Sequence, residues 1–166
     1  MRVEPLDPSR HDRNNFDCGN DDLNNWLAKT ANQAQERHRS SRTHVLTEDG
    51  GIILGYYSLA SQSVALDAVP AGLAKGHRFP IPAVILARLA IAKDHQQQGL
   101  GERLLADAVT RALAVGLEIG VALLVVDAKD EMAVQYYERF GFVRWPTEGR
   151  KLFARLVDLA ETFGVS

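Results

Sequence analysis

A single cysteine among 166 residues, Cys18, excludes a disulfide-stapled fold and fits a reducing compartment. It stands near a predicted helix start, where a lone cysteine serves as a small packing residue. No apolar run approaches the ~20 residues of a membrane span, so no membrane partner is expected. The N-terminal stretch Met-Arg-Val-Glu-Pro-Leu-Asp lacks the apolar core of a secretion signal, and a cytoplasmic location is expected. An excess of one charge is also missing. Lys and Arg number 19 against 21 Asp and Glu, a net charge of −2, so no global field draws in nucleic acid. There is no repeat, low-complexity tract or linker, and the length favours one domain, residues 1–166. No metal site is expected.

What the chain does have is 46% apolar residues, enough for a real core, and one informative segment. The apolar run Ile85-Leu-Ala-Arg-Leu-Ala-Ile91 feeds a polar turn, Gln96-Gln-Gln-Gly-Leu-Gly101. A helix follows, with Leu100, Leu104, Ala108, Val109 and Ala112 on one face. A strand delivering backbone N–H groups into a helix N-terminus makes a phosphate site. Gly99 and Gly101 admit a pyrophosphate close to the main chain, with no Cβ in the way.

The remaining elements follow from spacing and turn chemistry. Helical spacing links Leu23, Trp26, Leu27, Thr30, Ala31 and Ala34 into one predicted helix after the Asp17–Asp22 turn. Residues 43–47 and 52–61 read as strands across a Glu48-Asp-Gly-Gly51 hairpin turn. Residues 62–82 read as irregular, with a short helix near 69–74. Pro80 and Pro82 set an extended entry into a strand at 84–91. Further strands are expected at 120–127, 142–145 and 151–156, and helices at 99–115 and 130–139. The order predicts an α/β chain with a mixed sheet and helices packed on it.

Three readings of the phosphate turn compete. A P-loop needs Gly-x-x-x-x-Gly-Lys-Ser/Thr, which is absent. A dinucleotide fold needs a third glycine where Leu104 stands, and Glu118 falls near a helix end rather than a strand tip. A ligand-free glycine turn fits poorly with three consecutive glutamines between strand and helix. Gln96-x-x-Gly99-x-Gly101 resembles the CoA-binding motif of the GNAT superfamily of N-acetyltransferases. Tyr136-Tyr-Glu-Arg-Phe-Gly-Phe142 is similar to that family's second signature, at its usual separation. Phe16-Asp-Cys-Gly, Trp26-Leu and the segment Pro80 to Ala90 extend the likeness to acetyltransferase toxins of bacterial toxin–antitoxin pairs, over roughly residues 3–157.

The resemblance implies the GNAT fold: a mostly antiparallel central sheet with a splayed parallel strand pair and flanking helices. It implies acetyl-CoA as cosubstrate, an aminoacyl-tRNA acceptor, a ribbon-helix-helix antitoxin as partner, and it leaves a homodimer open. Carried over residue by residue, the amides of Gln96, Gln97, Gln98, Gly99, Leu100 and Gly101 would hold the pyrophosphate. The main chain of Leu89, Ala90 and Ile91 would bind the pantetheine arm. Many relatives carry Asn near the strand end where Asp127 stands, and the thioester slot of the family lies beside it. Tyr137 occupies the general-acid position, with Tyr136 as a packing neighbour. Arg103 and Lys129 are candidates for the CoA 3′-phosphate.

Amine chemistry bears on the acceptor. An α-amino group of pKa near 7.8 is roughly 15% neutral at pH 7, whereas a lysine near 10.4 is about 0.04% neutral, a deprotonation penalty near 4.6 kcal/mol for the lysine. Glu138 and Asp127 are the carboxylates nearest the motifs in sequence, and neither has an evident partner for base catalysis. An α-amine acceptor therefore fits best. Cations able to track RNA phosphates are Arg37, Arg39, Arg42, Lys75, Arg78, Arg88, Lys93, Arg150 and Lys151. Arg88, in the strand beside the expected acetyl site, is the leading substrate candidate, with Arg78 and Arg42. An acetyltransferase of small or protein amines, and a catalytically silent CoA-binding module, remain as alternatives.

Overall fold

The computed structural model describes residues 1–146 and 149–165. In chain order the elements are β1 (Arg2–Pro5), α1 (Asp21–Lys29), α2 (Ala31–Glu36), β2 (Arg42–Thr47), β3 (Ile53–Val64), α3 (Ala71–Ala74) and β4 (Ile81–Ile91). Then come α4 (Leu100–Glu118), β5 (Leu123–Asp127), α5 (Glu131–Glu138), β6 (Val143–Arg144), β7 (Lys151–Arg155) and α6 (Leu156–Phe163). Single 3₁₀ turns occupy Leu66–Ala68 and Lys93–His95. The strand order is β1-β2-β3-β4-β5-β7-β6. The pairs β1–β2, β2–β3, β5–β7 and β6–β7 are antiparallel, and β4–β5 is parallel. The expected mixed sheet with one parallel pair is what forms.

The chain divides into two compact units, Met1–Ala60 with Ala87–Ala108, and Ser61–Leu86 with Val109–Ser166. In the first, β1, β2 and the start of β3 form a meander with Val3 opposite Leu46 and Val45 opposite Tyr56. Its core joins Leu6, Phe16, Leu27, Ala31, Val45, Ile53, Tyr56 and Ala90, all buried. Asn20 caps α1 by accepting from the Leu23 N–H, the favoured role of an Asx residue at that position. The single helix expected over 23–34 is two. Thr30 departs from helical geometry (φ −117°), ending α1 and starting α2. Periodicity survives the break because Thr30 still donates to the Trp26 carbonyl and accepts from Ala34.

Gly55 of β3 lies tightly against the end of β4. A Cβ there would lie 2.7 Å from Ile91 Cδ1, 2.9 Å from the Ala90 carbonyl oxygen and 3.1 Å from Leu104 Cδ1. The Ala92 N–H donates to the Leu54 carbonyl at 2.8 Å, which fixes the end of β4 against β3.

In the second unit the parallel register pairs Ala83–Leu86 with Leu123–Val126. β5 reads as four consecutive buried residues because both its neighbours and both its faces are covered. Val64, Ile81, Leu123, Val125, Trp145 and Phe153 form the core. Two elements escaped the sequence reading. β1 is only four residues and half-exposed. Leu156 does not end β7 but starts α6, which buries Leu156 and Leu159 and stops at Gly164 in the left-handed region (φ 64°).

Gly55→Ala should destabilise the protein by about 2 kcal/mol, because the backbone carbonyl of Ala90 cannot yield as a side chain can. Denaturant unfolding measures this; an unchanged midpoint would show that β4 can shift away.

Candidate functional site

The strand–turn–helix segment is built around Gln96. Its side-chain amide nitrogen donates to the Ile91 and Cys18 carbonyls, at 3.0 Å each. Both donors of the NH₂ group are thereby used on main chain, one at the end of β4 and one in the loop before α1. Residues 96–99 are exposed. Gln97 and Gly99 have left-handed backbones (φ 63° and 79°), and Gln98 between them does not. Such alternation turns successive N–H groups toward one side, the geometry of an anion nest. Gln97 holds this conformation without glycine's freedom, at a cost of about 1 kcal/mol. A Cβ at Gly99 would meet nothing within 4 Å, so the main chain there is open to an approaching ligand. The first acceptor in α4 is the Gly99 carbonyl, bonded by the Arg103 N–H at 3.2 Å. The first-turn amides of the 19-residue helix that follows have no partner within the helix. Glu102 in that turn opposes an anion; the amides and the helix dipole favour one. The residues present fit a diphosphate.

A second pair secures the turn. The Lys93 N–H donates to the Asp17 carbonyl and the Lys93 ammonium pairs with the Asp17 carboxylate, both at 2.9 Å. Lys93 therefore anchors the turn rather than standing free for RNA. It is the main cause that lowers Asp17 to about 2, with hydrogen bonds from Gly19 and Asn24 adding to it. Arg103, a candidate for the 3′-phosphate, donates to the Met1 carbonyl at 2.7 Å. Lys129 is exposed between β5 and α5.

Leu89 and Ile91 are half-buried and Ala90 buried, as a strand with one packed face requires. Arg88, two residues before Ala90, lies over Trp26 of α1, its guanidinium carbon 4.1 Å from the ring centroid. Trp26 stacks on Tyr56 (6.1 Å, 9°), and the Tyr56 hydroxyl donates to the Leu23 carbonyl at 2.8 Å. Arg42 is exposed at the start of β2.

The second unit holds Tyr137, Asp127 and Arg78. Tyr137 is buried in the last turn of α5. Its ring packs edge-on against Phe142 (5.6 Å) and Tyr136 (5.4 Å). Burial, and then Tyr136, push its hydroxyl above the ordinary tyrosine value, so it stays a proton donor. Asp130 caps α5 through the Ala133 N–H, and Arg144 makes two bonds to Glu131 (2.8 and 2.9 Å). These contacts fix the helix that carries Tyr137. Asp127 is exposed at the end of β5, in register with Lys151. Arg78 is exposed in the loop before β4.

The first unit thus brings the turn, the Leu89–Ile91 strand, Arg42 and Arg88 into one body, while Tyr137, Asp127 and Arg78 belong to the other. The sequence reading missed the anchors Asp17, Cys18 and Trp26 as parts of the site. They lie in the Phe16 to Leu27 segment that carried the resemblance, but their partners are more than 60 residues away.

Asp17 should titrate near 2 by NMR, and Lys93→Met should return it toward the ordinary value near 4. Its folded-state pKa lies below the unfolded one. Its contribution to stability is therefore present above pH 4 and lost as pH falls toward 2. An Asp17 pKa unmoved by Lys93→Met would remove the ion pair as the cause.

A family model described as an acetyltransferase (GNAT) domain matches residues 15–160. A tRNA-acetylating toxin of Mycobacterium tuberculosis is 33% identical, over 92% of this chain and 91% of its own. Among solved structures, AtaT complexed with acetyl-methionyl-tRNAfMet is 30% identical with a TM-score of 0.86, covering 98% of each chain. A tyrosine-to-phenylalanine variant of AtaT, bound to the C-terminus of the antitoxin AtaR and acetyl-CoA, is 28% identical with a TM-score of 0.81, over 98% of this chain and 97% of that one. With the turn, the parallel strand pair and a domain match across most of its length, the chain belongs to the GNAT acetyltransferase family.

Proposed function

We propose that this chain, as one catalytic domain, transfers the acetyl group of acetyl-CoA to the amino group of aminoacyl-tRNA. In this reading it is the toxin of a toxin–antitoxin pair acting in the cytoplasm, with a ribbon-helix-helix antitoxin as partner. The observation that carries the reading is the open, Gln96-pinned turn, in a chain whose relatives acetylate or bind tRNA.

Acetyl-CoA supplies an activated thioester. The amides of residues 96–101 bind and orient its diphosphate, and the Leu89–Ile91 main chain aligns its arm. The acceptor amine forms the new N–C bond as the C–S bond breaks. The sulfur takes a proton from the Tyr137 hydroxyl, the nitrogen releases one to water, and Tyr137 regains its proton from water before the next turnover. Burial keeps Tyr137 protonated across the working pH range. The α-amine of an aminoacyl ester is neutral often enough to need little help from a base. Asp127 and Glu138, the carboxylates nearest the motifs in sequence, are exposed, which fits such an acceptor.

Tyr137→Phe should lower kcat by roughly 10²–10⁴-fold, with acetyl-CoA affinity within about twofold by calorimetry. In cells, wild type expressed from a tightly repressed promoter should arrest growth and translation, and the variant at equal level should not. Wild type that acetylates small amines, leaves charged tRNA untouched and permits growth would replace the tRNA reading with a small-amine or protein-amine one.

A further inference from the structure

Most arginines of the first unit have a partner within it. Arg2 and Arg10 pair with Glu4, Arg13 and Arg103 donate to main-chain carbonyls, and Arg88 lies over Trp26. One loop differs. The segment Arg37-His-Arg-Ser-Ser-Arg42, between α2 and β2, holds three arginines and no carboxylate. All three are exposed, and among the described residues no hydrogen bond or ion pair engages their side chains. The loop that presents them is nonetheless fixed. The Arg37 and His38 N–H groups both donate to the Gln33 carbonyl at 3.0 Å, and the Ser40 N–H donates to that of Ala34 at 2.9 Å. The buried Gln35 side chain donates to the Leu6 carbonyl at 3.0 Å and accepts from the Thr43 N–H at 3.2 Å, which ties the end of α2 to the start of β2. Arg39 takes a left-handed backbone (φ 52°) just past the helix, where glycine is the usual residue. Such strain at an exposed, charged residue points to a role for the side chain outside the fold. Complementing the carbonyl end of α2 accounts for one cation, not for three.

The loop also stands at the right end of the sheet. Ala92 bonds Leu54 and Gly55 lies against Ala90, so β3 advances as β4 recedes from the diphosphate turn. Leu59, four residues past Gly55, is about 13 Å farther along the strand, and Arg42 is its partner in β2. The arginines therefore lie toward the end where the cofactor arm delivers its acetyl group, away from the diphosphate. Guanidinium forks match phosphate oxygens. A loop with three of them and no apolar side chain suits a phosphate backbone; an acidic protein partner would bring apolar surface to bury.

We propose that the Arg37–Arg42 loop is the RNA-backbone grip of this protein, with Arg37, Arg39 and Arg42 binding phosphodiesters of the aminoacylated RNA and so holding its charged end at the acetyl group. This rests on the function proposed above. In this role the arginines bind the acceptor, and Gln35 is a positioning residue.

The test measures binding of deacylated bulk tRNA across a salt series, and acetylation of charged bulk tRNA and of phosphate-free 3′-O-aminoacyl adenosine. The triple variant Arg37→Gln, Arg39→Gln, Arg42→Gln should bind tRNA about tenfold more weakly and lose about 2 from the slope of log affinity against log salt, the share of three phosphate contacts. The corresponding triple lysine variant keeps the charges and should keep the slope. Arg39→Gly relieves the left-handed backbone, so it should melt no lower than wild type while losing about a third of that slope change. In acetylation the glutamine variant should raise KM for charged tRNA about tenfold and leave aminoacyl adenosine within about twofold. Unchanged tRNA affinity and slope in that variant would overturn the proposal and leave the catalytic reading standing. Equal losses on both acceptors with a lower melting point would overturn it too, marking a structural role. A loss confined to poly-glutamate binding would overturn it in favour of an acidic protein partner. Wild type that binds tRNA through the loop yet acetylates neither acceptor would bring down the catalytic reading and keep the grip.

Discussion

The double hydrogen bond from the Gln96 side chain is the constraint on which the candidate binding segment depends. One nitrogen ties the turn to the last residue of β4 and to the loop before α1. Each bond contributes only about 1 kcal/mol, but together they set where the chain goes after the strand. The left-handed backbone at Gln97 benefits from such a clasp, because a residue with a Cβ holds that conformation at a cost, whereas Gly99 adopts it freely. Lys93 and Asp17 repeat the tie through a second route. Two independent tethers to one loop preorder the turn, which lowers the entropy of ordering its amides around an anion.

That arrangement was legible in the sequence as far as it is local. Strand, glycine-bearing turn and periodic helix are neighbours in the chain, so spacing alone located the strand, the turn and the helix that follows it. The helix that carries Tyr137 was legible for the same reason, since the helix and the glycine after it lie within a few residues. What spacing could not supply is contact between distant segments. Arg88 meets Trp26 and Gln96 meets Cys18, pairs that no periodicity links. Lys93 illustrates the cost: read as a free cation for RNA, it is held by a carboxylate 76 positions earlier, from Lys93 to Asp17. The helix break at Thr30 and the start of α6 at Leu156 were missed differently. Both keep apolar spacing compatible with the neighbouring element, so the pattern does not change where the backbone does.

Charge is distributed in keeping with this division. The chain is nearly neutral overall, and several of its arginines are committed to carboxylates: Arg10 to Glu4, Arg144 to Glu131, Arg155 to Asp158. These pairs are largely exposed and contribute little stability individually. Their effect is on recognition, because a paired cation attracts an RNA backbone weakly. The near-neutral charge leaves no broad basic field to draw in an RNA.

The protonation behaviour of the candidate residues points the same way. Main-chain amides and Gln96 carry no titratable proton in the working range. Asp17, lowered to about 2, stays ionised, and Tyr137, raised by burial, stays protonated. These groups hold one state from about pH 4 to pH 10. The pH dependence of transfer is then left to the acceptor amine, which must be neutral to attack. A rise in rate centred near 7 to 8 is the signature of an α-amine, and one above 10 that of a lysine. Because the binding and proton-donating groups do not titrate in between, the acceptor's own chemistry becomes visible in the rate.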